Sequence, residues 1–96
     1  MKISWTKSAR AQLKSACDYI KQDSAVNSEK VRKRILAAAM SLALHPNKHP
    51  ADKHKTDNDG SYRAFVVYRY RISYLVQDSE ITIMRVRHTS MEPLEY

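Results

Sequence analysis

Beyond Gly60, every basic residue of this chain except His88 is an arginine: Arg63, Arg69, Arg71, Arg85 and Arg87. The planar guanidinium fork grips phosphate oxygens two at a time, which the point charge of a lysine cannot do. Histidine titrates near neutrality and can hold or release a proton there. Lys53, His54 and Lys55 place more basic groups upstream. These residue types meet the needs of metal-free RNA cleavage: a base for the ribose 2′-hydroxyl, cations for the pentacoordinate phosphate, and an acid for the leaving 5′-oxygen. In that scheme Arg71 stabilises charge and His88 is the acid. Lys53 or Lys55 orients the attacking hydroxyl, or deprotonates it once neighbouring cations lower the lysine pKa. Arg63, Arg69, Arg85 and Arg87 line the substrate path, and Tyr96 stacks on a base if its tail folds back. The plain alternative is that strand arginines are solvated and that a strand-end histidine is hydrogen-bonded locally. On that reading most of Tyr62, Tyr68, Tyr70 and Tyr74 belong to the sheet core.

The elements that must position these groups follow from hydrophobic spacing. Residues 2 to 5 read as a short strand, and Thr6 offers a side-chain oxygen to cap the helix that follows. From Lys7 to about Lys21, the apolar residues Ala9, Leu13, Ala16, Cys17 and Ile20 recur every three or four positions. The pattern resets at Asp23-Ser24, and Val31, Ile35, Ala38, Ala39 and Leu42 mark a second helix that Pro46 ends. So short a link predicts a helical hairpin, with Ala37-Ala38-Ala39 permitting close approach. From His45 to Gly60 two prolines and the only glycine, with no branched aliphatic residue, predict an irregular surface loop. Three strands follow, Tyr62 to Val67, Tyr70 to Val76 and Ile81 to Val86, rich in β-branched and aromatic residues. The order β-α-α-β-β-β is an α+β fold: a small, mainly antiparallel sheet with the helical hairpin on one face, as a single domain over residues 1–96. A two-residue turn at Asp78-Ser79 sets Gln77 opposite Glu80, Arg71 opposite Val86 and Arg69 opposite His88. That register gathers Arg69, Arg71 and His88 on one face.

Composition narrows the partners. Lysine and arginine number 17 against 10 acidic residues, a formal charge of +7, which draws the chain to nucleic acid, a ribonucleoprotein or an acidic protein. The lone cysteine, Cys17, excludes an internal disulfide, fits a reducing compartment and falls at a core position. The amino-terminal residues lack the apolar run of a secretory signal and no stretch is long enough to span a bilayer, so a cytoplasmic location is expected. There is no glycine-rich phosphate loop, paired cysteines, GxSxG elbow or helical HExxH. His45, His49 and His54 lie in a loop without metal-ligand spacing, so neither metal nor cofactor is expected.

Several local runs, in order, then carry a family resemblance: Leu44-His45-Pro46 at the end of the hairpin, the basic loop, Gly60-Ser61-Tyr62-Arg63, Tyr70-Arg71-Ile72-Ser73-Tyr74, and Ile83-Met84-Arg85-Val86-Arg87-His88. Over nearly its whole length the chain resembles the RelE/ParE superfamily of toxin-antitoxin toxins, also known as plasmid-stabilisation proteins. The resemblance implies a compact sheet with two helices on one side, a toxic activity, and neutralisation by a cognate antitoxin. An amphipathic antitoxin segment would wrap the apolar and basic surfaces in a hetero-oligomer. RelE- and YoeB-like members cleave mRNA in the ribosomal A site, whereas ParE-like members poison DNA gyrase and need no nuclease residues. Arg71 and His88 match the arginine and histidine of YoeB-like active sites, and Lys53 and Lys55 resemble the RelE loop lysines. Thr89 stands where YoeB-like members place a tyrosine, and their loop glutamate has no counterpart here. The leading expectation is a ribosome-dependent mRNA endoribonuclease, with ribosome and mRNA as partners. The alternatives are a ParE-like gyrase inhibitor without nuclease activity and an inactive relative that only binds its antitoxin.

Overall fold

The computed structural model describes residues 1–91 and 95–96; Glu92, Pro93 and Leu94, part of the tail considered above, lie outside the described residues. The chain runs β1 (Lys2–Trp5), α1 (Lys7–Lys21), α2 (Ala25–Ser41), β2 (Tyr62–Val67), β3 (Tyr70–Gln77) and β4 (Glu80–His88), then a 3-10 turn over Thr89–Met91. The four strands form one sheet in the order β1-β4-β3-β2, with β1 parallel to β4 and the other pairs antiparallel. This is the expected element order and architecture.

Both helices start where a side chain replaces the missing turn. Thr6 Oγ1 accepts from the Ala9 amide at 2.9 Å, and Ser24 Oγ accepts from the Asn27 amide at 3.0 Å. The hairpin closes tightly because small groups meet: Ser28 Oγ donates to the Cys17 carbonyl at 2.7 Å. Ala39 is buried and Ala38 half-buried against the core, while Ala37 is exposed. Burial pushes the Cys17 thiol pKa up, as befits a packed thiol. The core lies between hairpin and sheet, where Ile35, Leu42, Ile72, Tyr74, Ile81 and Ile83 are fully buried. The Tyr74 hydroxyl does not go unpaired there, since it donates to the Pro46 carbonyl at 2.9 Å.

One irregularity decides what the sheet presents. From the turn at Asp78-Ser79 the register begins as expected, with Gln77 opposite Glu80 and Tyr74 opposite Ile83. Ser73 then pairs with Arg85, so Met84 is an extra residue, a bulge in β4. The cause lies in the neighbouring element: β1 ends at Trp5 opposite Ile83, and from there α1 rather than a strand borders β4. The Thr6 amide donates to the Ile83 carbonyl at 3.1 Å, and its hydroxyl donates to the Met84 carbonyl at 3.3 Å. Gln12 Oε1 accepts the Val86 amide at 2.7 Å, replacing the lost strand partner. Beyond the bulge the expected pairs are therefore wrong by one residue. Val86 faces Ile72, Arg87 faces Arg71, and His88 faces Tyr70. Arg69 is in the β2–β3 turn, beside Tyr68 with φ of 54°. A one-residue slip moves side chains to the other face, so Arg71 and His88 do not share one.

Candidate functional site

The face of the sheet away from the helices carries Arg71 and Ser73 from β3 and Arg85 and Arg87 from β4, with Arg71 directly opposite Arg87 and Ser73 opposite Arg85. Cross-strand neighbours of like charge repel, and the chain answers with an acid that the sequence reading overlooked. Asp52, from the long loop, is 2% exposed. Its Oδ1 accepts from Arg71 Nη2 at 2.8 Å and from the His54 amide at 3.0 Å. Its Oδ2 accepts from the Tyr96 hydroxyl at 2.6 Å. Burial alone would raise the carboxyl pKa. The donors Tyr96, Arg71 and the His54 amide, with Ser73, outweigh it and hold the group down at about 2. An acid so strongly held as its anion is a poor proton acceptor near neutrality.

The loop reaches this position because it is ordered on the edge of β2. The Asp52 amide donates to Tyr62 O at 2.8 Å and the Ala64 amide to Pro50 O at 3.2 Å, while Ala51 bridges Arg63. Asn58 ties the loop shut: its Nδ2 donates to the Asp52 and Tyr62 carbonyls, and its Oδ1 accepts from the Gly60 and Tyr62 amides. Gly60, at φ of 98°, makes the turn into β2. A loop of irregular backbone was expected; a buried anion inside it was not.

Tyr96 closes the face. Its amide donates to His54 O at 3.0 Å and its carbonyl accepts from the Thr56 amide at 2.6 Å. The ring lies 4.3 Å from the Arg85 guanidinium carbon and 5.6 Å from Lys55 Nζ, both within cation–π range. Burial and the Asp52 carboxylate push its hydroxyl pKa up, so it remains a donor. Asp52, His54, Arg71, Ser73, Arg85, Arg87 and Tyr96 thus line one small pocket.

The other candidates are spread around it. Lys55 sits at the rim, over the Tyr62 ring at 4.7 Å and donating to the Thr56 carbonyl, whereas Lys53 and Arg69 are exposed. Arg63, opposite Tyr74 and so on the helix-side face, donates to His49 O at 2.6 Å. Arg87 reaches Met91 O at 2.9 Å. His88 lies on the helix side, with its ring edge against Tyr70 at 5.1 Å and Nδ1 taking the Ser90 amide at 3.0 Å. It lines a largely apolar groove of about 590 Å³ between α1 and the end of β4, with Tyr19, Tyr70 and Met91. The structure therefore brings Arg71, Arg85, Arg87 and Tyr96 together, with Lys55 near, and leaves out His88, Lys53, Arg63 and Arg69. Among the described residues no group of three or more His, Cys, Asp or Glu is arranged to hold a metal ion, and no helix is long and apolar enough to cross a membrane.

Comparison with known proteins agrees with the fold and its order of elements. The chain is 32% identical over 88 residues to Toxin RelE2 of Caulobacter vibrioides, covering 92% of this chain and 94% of that one. Its fold is similar to a chain of the chromosomal ParDE toxin-antitoxin system of P. aeruginosa, at a TM-score of 0.73 with 20% identity, covering 92% of this chain and 95% of the other. It also resembles YoeB of Staphylococcus aureus, solved as a dimer, at 0.57 with 19% identity and the same coverage. Residues 3–93 match the family described as the ParE toxin of the type II toxin-antitoxin system parDE. By that match over nearly its whole length, the chain belongs to the ParE toxin family, within the RelE/ParE superfamily of toxin-antitoxin toxins.

Proposed function

We propose that this toxin arrests growth as a non-nucleolytic, ParE-like inhibitor of DNA gyrase, held in check by a cognate antitoxin, and that mRNA cleavage is not its activity. The observation that carries the reading is the separation of the two groups any nuclease scheme here depends on. Arg71 lies on the open face, paired with Asp52, while His88 pairs across the sheet with Tyr70 and packs on the helix side. General acid catalysis requires the proton donor within hydrogen-bond reach of the leaving oxygen, and a phosphate held by Arg71 is out of reach of an imidazole behind the sheet. The internal carboxylate also competes for the guanidinium that would bind the phosphate. A protein-directed toxin needs neither group in register, and the family match supports this ordering of the two activities.

The test is induced expression followed by two readouts. Purified toxin should inhibit supercoiling by gyrase and leave mRNA intact in a translating extract. Arg71→Ala and His88→Ala variants that still fold should retain toxicity. Cleavage of mRNA lost in both variants would restore the nuclease reading.

A further inference from the structure

The excess positive charge of the chain is concentrated in the helical hairpin. Between Lys7 and Ser41 stand eight basic residues against three acidic ones, a net +5 out of the chain's +7. All eight are exposed. Two of the acids are engaged within the hairpin, by Lys14 with Asp18 at 2.7 Å and by Arg32 with Glu29 at 3.0 Å. Among the described residues Lys7, Arg10, Lys21, Lys30, Lys33 and Arg34 have no ion-pair partner. The open face of the sheet differs, because guanidinium groups there already meet internal acceptors: Asp52 for Arg71 and the Met91 carbonyl for Arg87.

The hairpin charges are also aligned. At about 100° per residue, Lys7, Arg10, Lys14 and Lys21 fall within about 60° of one another around α1 and run for about 21 Å along its axis. The core-facing row of Ala9, Leu13, Ala16 and Ile20 lies well away from them. From α2, Arg32 lines the groove between the helices with Arg10 and Lys14, and Lys33 stands almost opposite the buried row of Val31, Ile35 and Ala39. A straight row of cations of that length suits a strand of phosphates, which advances about 3.4 Å per nucleotide along a duplex. The surroundings exclude other partners. A protein-docking patch centres on apolar anchors and keeps charge out of its middle, and a single strand needs free aromatic rings on which to stack its bases. Trp5 and Leu13, at the floor of the groove, are packed against the core. Tyr19, exposed on α1, belongs to the groove with Tyr70 and His88 instead.

We propose that the outer surface of the hairpin binds the backbone of duplex DNA without regard to sequence, with Lys7, Arg10, Lys14 and Lys21 along one strand of phosphates and Arg32 and Lys33 beside them. Contacts of this kind position a protein and read no bases. The face thus holds the toxin on DNA, where gyrase works, without selecting a site. The choice of DNA over duplex RNA rests on the gyrase reading; the location of the face does not.

The test titrates purified toxin into a short fluorescent DNA duplex of mixed sequence, read by anisotropy over a range of salt. The log–log dependence of affinity on salt should have a slope of about −4, the value for four neutralised phosphates. Arg10→Ala combined with Lys21→Ala, both at exposed helix positions without an internal ion pair, should flatten that slope by about 2 and weaken binding on the order of a hundredfold at about 50 mM salt. Lys2→Ala combined with Lys48→Ala removes the same charge outside the hairpin and should change the slope by less than about 0.5. Circular dichroism should be the same for all three proteins. The proposal is overturned if the two double variants lose affinity equally, if the wild type binds no duplex at low salt, or if a duplex RNA of the same sequence binds tighter. Displacement of the duplex by polyglutamate more effectively than by unlabelled DNA would assign the face to an acidic protein and overturn it as well. Supercoiling assays on the same samples separate the two readings: a toxin that binds DNA through Arg10 and Lys21 yet leaves gyrase active refutes the gyrase reading and keeps this one.

Discussion

The two faces of the sheet solve opposite problems with neighbouring residues of the same strands. On the helix side, Ile72, Tyr74, Ile81, Ile83 and Val86 are buried under the hairpin, and their stability comes from area removed from water, which tolerates no vacancy. On the open side, Arg71, Ser73, Arg85 and Arg87 gather around Asp52, where each charge is tolerable only while its partners remain. The two faces are assigned to their residues by a single insertion, Met84. A bulge is thus the switch that sends Val86 inward and Arg85 and Arg87 outward.

The comparison breaks most completely if the alternation beyond the bulge is shifted by one. Inserting an alanine between Arg85 and Val86 should carry Arg87 under the helices and Val86 out, costing more than about 5 kcal/mol and leaving no cooperative unfolding transition in near-ultraviolet circular dichroism, whereas deleting Met84, the extra residue, should leave Arg85 and Arg87 on the open face. A single vacancy on the helix side comes next: Ile83→Ala should lower stability by about 3 kcal/mol, read as a shift of the urea midpoint. The open face should show itself through pH. The Asp52 carboxyl is held below its ordinary 3.8, at about 2, so its contribution is fully present above about pH 4 and disappears as the pH falls through 2. That contribution is about 2 kcal/mol. The stability gap between the wild type and Asp52→Asn should therefore close between pH 4 and 2 while the gap to Ile83→Ala stays constant; parallel curves would show that the carboxylate adds nothing. Smallest of all, Thr6→Ala should cost about 1 kcal/mol, the scale of a helix cap, and a larger loss would indicate that the hydroxyl contact to Met84 O matters more than the cap.

Much of the fold was legible because its cues are local. Thr6 and Ser24 announce the helix starts, the three- and four-residue spacing of Leu13, Ala16, Cys17 and Ile20 announces the buried stripe, and Asp78 supplies the tight turn with φ of 54°. The register near that turn was legible for the same reason. What was not legible depends on residues far apart in sequence. Nothing in Ile83-Met84-Arg85 signals a bulge; it arises because β1 stops at Trp5 and Thr6 and Gln12 engage β4 instead. Asp52 was passed over because it stands among Lys53, His54 and Lys55, where an acid reads as surface compensation. Its burial comes from Asn58 and the edge of β2. Tyr96 was the conditional case: a stacker only if it folded back, which it does, although onto Arg85 and Asp52.

Thr6 joins the first helix to the last strand, and β1 itself finds its partner only in β4, some eighty residues downstream. On the ribosome, where the amino-terminal part emerges first, this pairing has to wait until β4 has been made. Nascent fragments that end before β4 accordingly lack the finished sheet, so the folded domain and any partner that recognises it can meet only once that strand has emerged.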